Sequence, residues 1–190
     1  MATPEDVLPG NALPGEVLGF WFDECTPKQW FDKDDTFDVA LRARFSALHA
    51  EAAAGGLGDW EATADGRMAL ILVLDQMSRN LYRGDPRAFA QDPRARDVAR
   101  RAVAAGDHVF APPQRCLFLF LPFEHSEELA DQLWSEALFH ALGDAYLDDY
   151  ARRHREIVER FGRFPHRNAA LGRDSTAEEL TFLQGPNSSF

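Results

Sequence analysis

The sequence predicts an all-α fold, and three observations carry that prediction. Apolar residues recur at three- and four-residue spacing over several long stretches. No stretch sustains the period-two alternation of a half-buried strand. Capping and breaking residues fall where such helices would begin and end. Helices of this length joined by short loops pack as antiparallel hairpins, in a bundle or an array. No fixed-period repeat is legible.

The elements follow in order. Residues 1–13 carry Pro, Gly and Asn and read as a loose lead-in. Pro14 then initiates a short apolar helix over Glu16 to Phe22. From Asp34 to Ala54, Phe37, Leu41, Phe45, Leu48 and Ala52 share one face, and Gly55-Gly56 ends the helix. After a loop around Trp60, Met68 to Leu74 is apolar on every side and continues into Asp75-Gln76-Met77-Ser78-Arg79, which makes it a central buried helix. Pro86 to Ala90 is a turn. Pro93 to Ala105 is an arginine-studded helix ending at Gly106, and Pro113 to Leu121 is a short apolar helix closed by Pro122. Ser126 to Leu142 opens on a serine cap with two glutamates in its first turn. Ala145 to Phe161 ends at Gly162. Ser175-Thr176 with Glu178-Glu179 is a capping-box signal for a last helix to about Leu183.

At 190 residues with 45% hydrophobic content the chain suits one domain with a sizeable core. Cys25 and Cys116 form no CxxC pair and have no histidine at zinc spacing, so buried reduced thiols are expected. The start lacks the basic and apolar regions of a signal peptide, and the longest apolar run, Cys116 to Phe123, is too short to cross a membrane. A cytoplasmic protein with no membrane partner is the expectation. The net charge of −11 argues against nucleic acid, whose phosphates need a basic footprint. That charge is unevenly placed. Between Arg152 and Arg173 seven arginines stand against Glu156 and Glu159, while the rest of the chain carries 13 basic and 29 acidic residues. Lys28 and Lys33 are the only lysines, so the positive charge is almost all guanidinium, which pairs flat against carboxylate or phosphate.

Several polar residues sit where chemistry would need them. Asp75 and Arg79 are four apart with the acid first, the better orientation for a helical pair. They read either as a salt bridge finishing a buried helix or as Asp75 holding Arg79 toward a pocket. Glu124 and His125 precede Glu127 and Glu128, and carboxylates beside an imidazole can orient it or raise its pKa. The order matches neither a di-iron bundle nor HExxH, so no metal is implied; Glu127 and Glu128 read as dipole-stabilising acids at a helix start. His154 shares an apolar stripe with Tyr146, Tyr150, Ile157 and Phe161, the setting of a hydrogen-bonded core histidine. In Phe161-Gly162-Arg163-Phe164-Pro165-His166-Arg167-Asn168, two aromatics pin a loop from which Arg163, His166 and Arg167 project. These arginines either bind helix-end carbonyls and acids or form an anion site.

Four segments carry a family resemblance: VLGFWF from Val17, LDQMSRNLYRGDPRAFAQD from Leu74, FLPFEHSEELADQ from Phe120 and FGRFPHRNAALGRDSTAEE from Phe161. Together they resemble the bacterial family catalogued as domain of unknown function 924, from about Glu16 to Leu183. Met77 and Ser78 depart from a Phe-Pro the family carries there. The resemblance implies a tetratricopeptide-repeat-like stack of helical hairpins and supplies no reaction or cofactor. It marks Asp75, Gln76, Arg79, Asn80 and Arg83 as signature positions, and in the C-terminal half Glu124, His125, Glu127, His154, Gly162, Arg163, Pro165, His166, Arg167 and Asn168.

Two functions compete on this reading. In the first, Arg79, Glu124, His125, His154, Arg163, His166 and Arg167 line a cleft that binds a small anionic ligand. In the second, the helical stack is a scaffold for a protein or peptide partner. A purely structural network ranks third. No nucleophile elbow, phosphate loop, metal motif or cofactor motif is visible.

Overall fold

The computed structural model describes residues 13–186 and residue 188. The expected lead-in, apart from Leu13, lies outside the described residues. The described chain is helical throughout with no strand, and its helices pack as a bundle or array. It divides into two compact units, the first formed by residues up to Arg83 with Arg87–Pro122, the second by Gly84–Pro86 with Phe123 onward.

In the first unit, α1 (Pro14–Gly19) runs into a π-helical turn over Phe20–Glu24. A short α2 (Pro27–Phe31) follows, which the periodicity does not announce; its start is a Thr26 cap that accepts from Gln29 N–H. Helix α3 (Asp35–Ala54) has Asp34 as its cap, accepting from the amides of Thr36 and Phe37 at 2.9 and 3.1 Å. It stops at Gly55, whose φ of 92° is the left-handed conformation that glycine adopts without a Cβ clash. The expected central helix is there and is longer: α4 (Ala64–Ile71), a π turn (Leu72–Met77) and α5 (Ser78–Leu81) form one continuous helical run. Its entry is tight, because a Cβ on Gly66 would lie 1.9 Å from the Trp60 carbonyl oxygen.

Leu70 through Leu74 are completely buried, with α4 packed against α1 and against α6 (Asp92–Ala104). A second patch of this core is aromatic. Trp21, Phe22, Trp30 and Phe31 surround Phe118 with ring centroids 5.2–6.1 Å apart, mostly edge to face. Cys25 and Cys116 are free and buried, as expected. No described helix is long and apolar enough to cross a membrane.

Two boundaries differ from expectation. Helix α7 (Pro113–Glu124) does not stop at Pro122 but passes through it. The ring removes one backbone donor, and the helix has only two residues left to run, so little is lost. Helix α8 (Leu129–Leu142) starts three residues later than Ser126, with Glu128 as its extended cap residue. Ser126 instead closes a turn outside the helix, accepting from Glu128 N–H at 3.2 Å and donating to Asp131 Oδ2 at 2.8 Å.

In the second unit α8 and α9 (Ala145–Phe161) form an antiparallel hairpin through Gly143, which is left-handed at φ 73°. Arg155–Glu136 and His140–Asp148 contacts at 2.6 and 3.3 Å fix its register. The chain leaves α9 at Gly162, makes a single 3-10 turn over Pro165–Arg167, and enters α10 (Ala177–Leu183) through the expected Thr176/Glu179 capping box.

Truncating Leu72 to Ala should therefore lower the unfolding free energy by about 2–5 kcal/mol, since the site has no route for collapse. Urea denaturation of the variant measures it. A loss below about 1 kcal/mol would contradict the central packing assigned to α4 and its π turn.

Candidate functional site

The candidate residues fall into both units. Arg79, in the first, is fully engaged there. Its guanidinium donates to both carboxylate oxygens of Asp92 at 3.0 and 3.1 Å and to the Asp75 carbonyl at 2.8 Å, and Nη1 lies 3.1 Å from Asp75 Oδ1. The pair read from the sequence exists, with Asp92 as a second acid that the sequence did not point to. The next residue, Asn80, and Arg83 one turn on bind Asp38 at 2.8–3.0 Å. Burial pushes the Asp38 carboxyl up, but those hydrogen bonds outweigh it and hold the group below the usual carboxylate range.

His154, His166 and Arg167 come together in the second unit around one ring, with Glu124 against His154 and His125 near enough for its charge to act on that imidazole. Phe164 is completely buried; the His154 and His166 rings lie 5.7 and 5.6 Å from it, and the Arg167 guanidinium sits over its face at 4.5 Å. His154 is buried too. Its Nδ1 donates to the Tyr150 carbonyl at 2.9 Å and lies 3.4 Å from Glu124 Oε1. Burial drives its pKa down to about 3 against the Tyr150 bond, and the charges of His125, His166 and Arg167 add to the fall. The ring is thus neutral at ordinary pH, and its approach to Glu124 is a carboxylate–imidazole contact rather than an ion pair.

Arg163 faces elsewhere. Its Nε and Nη2 grip Glu179 at 2.6 and 2.8 Å, and Nη2 also reaches the Asp174 carbonyl. Arg163 and the Thr176 amide pull the Glu179 carboxyl down to about 2. Glu127 is not a helix-start acid. It accepts both arms of Arg173 at 2.7 and 2.9 Å and the Phe164 amide at 2.8 Å, and so holds the loop to the end of the preceding turn. Arg152, Arg153 and Arg160 line an open cavity of about 500 Å³ with Phe161 and Phe182. Each is paired with a nearby carboxylate, of Asp149, Glu156 or Glu178. No group of three or more His, Cys, Asp or Glu side chains among the described residues is placed to hold a metal.

The sequence reading passed over Gln132 and Ser135. Both are completely buried on α8, while Leu129 and Leu133 of the same helix are 41% and 53% exposed. An amphipathic helix normally does the reverse. The signal was present in the inverted pattern itself, since Gln132, Ser135 and Phe139 share one stripe.

A family model described as a bacterial protein of unknown function, DUF924, matches residues 17–187. The chain belongs to this family. A solved structure of another protein of unknown function, ATU0120 from Agrobacterium tumefaciens, is 39% identical to this DUF924 chain. The match covers 93% of this chain and all of that one, with a TM-score of 0.87. None of the curated proteins compared matches the chain.

The His154 environment fixes a pH response. Its folded-state pKa lies below the unfolded value of 6.5, so the unfolded chain takes up a proton that the folded chain refuses. Its contribution is whole above pH 6.5 and is lost as pH falls toward about 3, at up to about 1.4 kcal/mol per pH unit. Urea melts at pH 7, 6 and 5 should show a shallower loss for His154→Gln than for the wild type; equal slopes would contradict the buried neutral imidazole.

Proposed function

We propose that this DUF924 protein binds a small anionic ligand in the polar interior of its second unit, at Glu124, His125, His154, His166 and Arg167. One observation carries the reading. Among the described residues the first unit buries 29 hydrophobic side chains and six polar or charged ones, whereas the second buries six hydrophobic and nine polar or charged ones. Burying polar groups costs free energy that an apolar interior would not, and chains depart from ordinary patterning chiefly at functional sites. The buried Arg167 and the imidazoles of His125 and His166 supply cationic and hydrogen-bonding groups in a chain that is otherwise acidic. No turnover is assigned to the site.

The scaffold reading is favoured by a different feature, the exposed Leu129 and Leu133 one turn apart on α8. A thermal-shift screen of phosphate, sulfate and small carboxylates separates the two. A ligand at a hundredfold excess over its dissociation constant should stabilise the wild type by about 2.7 kcal/mol. His166→Ala should lose that shift. Arg163→Ala should melt lower yet keep it, because Arg163 ties α10 to the loop through Glu179. If no anion shifts the wild type, or His166→Ala shifts equally, the anion reading fails and the scaffold takes its place.

A further inference from the structure

Two of the buried polar atoms without a hydrogen-bond partner in the second unit, Gln132 Oε1 and Ser135 Oγ, stand on one helix. Both side chains are completely buried. They lie three residues apart on one face of α8, the spacing at which helical side chains are neighbours. The orientation of Gln132 is settled by its own contacts. Its Nε2 donates to the carbonyls of Glu124 and Ser126, each at 2.6 Å, and approaches that of Phe123 at 3.4 Å, so the amide oxygen must point the other way. Ser135 makes no bond back to its own helix, the usual refuge of a buried helical serine.

The hairpin register places these atoms. Glu136 pairs with Arg155, and His140 with Asp148, which lays this stretch of α8 against the C-terminal half of α9. Gln132 in turn holds the backbone of Glu124, whose carboxylate meets His154. Gln132 is thus tied to the segment whose carboxylate meets His154, and Ser135 stands nearly one helical turn further along the same buried face of α8.

Gln132 Oε1 can only accept a hydrogen bond, so its partner must be a donor. A bare carboxylate or phosphate oxygen cannot serve. A hydroxyl can, because it donates to Gln132 Oε1 and at the same time accepts from Ser135 Oγ–H. We propose that the ligand of this site is a hydroxylated anion, a hydroxycarboxylate or hydroxyalkyl phosphate, whose hydroxyl is read by Gln132 and Ser135. This rests on the anion site proposed above and adds the substrate class. A site built to hydrogen-bond a hydroxyl discriminates strongly against the analogue lacking it, because buried polar groups are then left unpaired.

Matched probes test it. Titration calorimetry compares L-malate and D-malate with succinate, and glycerol 3-phosphate with propyl phosphate. The wild type should prefer the hydroxylated member of a pair by at least about tenfold, and Ser135→Ala should lose that preference. Ser135→Ala should also melt no lower than the wild type, because the hydroxyl it removes has no partner to lose. Equal binding of both members by the wild type overturns the hydroxyl reading and leaves the anion site standing; a buried water serving both atoms would give this result. A lower melting temperature of Ser135→Ala with its preference intact overturns it as well, since the hydroxyl would then be structural. Binding of no probe at all overturns both readings together.

Discussion

The second unit depends on one carboxylate. Glu127 receives both arms of Arg173 and the backbone amide of Phe164, and this three-donor grip fixes a loop that no helix or sheet ladder supports. Burial alone would push the Glu127 carboxyl up, but Arg173 and the amide more than offset it and hold the group below its ordinary value. Arg173 passes the constraint on, donating to the Asn168 side chain and to the Phe164 carbonyl. Phe164 is held at both its amide and its carbonyl, and the His154, His166 and Arg167 groups take their positions around its ring. The Glu127–Arg173 pair is only half-buried, so its worth lies in the loop geometry it fixes more than in the attraction between its charges.

The two units solve the problem of the interior differently. The first is an apolar core with a few polar insertions, several of them paired locally: Ser78 gives its proton to the Leu74 carbonyl and meets His49 Nε2 at 2.7 Å, and Asp38 is answered by Asn80 and Arg83. Its specificity comes from shape, in stacked and edge-on rings and in a helical run that widens into a π turn at its most buried point. The second has less apolar material: Ile157, Val158 and Phe164 with their neighbours Phe161 and Phe182, and the buried Phe123, Phe139 and Ala151. Its specificity comes from hydrogen bonds and ion pairs, whose geometry is directional.

That difference explains what was legible in the sequence. Helix ends governed by local chemistry were readable: the Asp34 cap, the glycine stops at 55 and 162, and the Thr176 capping box all act within a few residues. The buried run from Met68 was readable because it is apolar on every face. Long-range partners were not. Nothing local ties Glu127 to Arg173, 46 residues away, or Arg163 to Glu179, and both acids pass for ordinary helix-start glutamates. Ser126 misled because a serine before two glutamates fits a cap and a free-standing turn equally well. On α8, hydropathy gives the wrong face, since the helix buries Gln132 and Ser135 and turns Leu129 and Leu133 outward. The gathering of His154, His166 and Arg167 around Phe164 depends on a loop set by contacts spread over half the second unit.

The chain's choice of cation has a consequence for regulation. Lys28 and Lys33 are its only lysines, and both lie in the first unit. Every fixed positive charge of the second unit is therefore a guanidinium, which stays protonated past pH 12 and offers no amine to an acyl donor. Acetylation, the commonest way a cell erases a positive charge, finds no side-chain target there. Near neutral pH the side chains of that unit that exchange protons are its imidazoles and carboxylates, and its positive charge is closed to lysine-modifying enzymes.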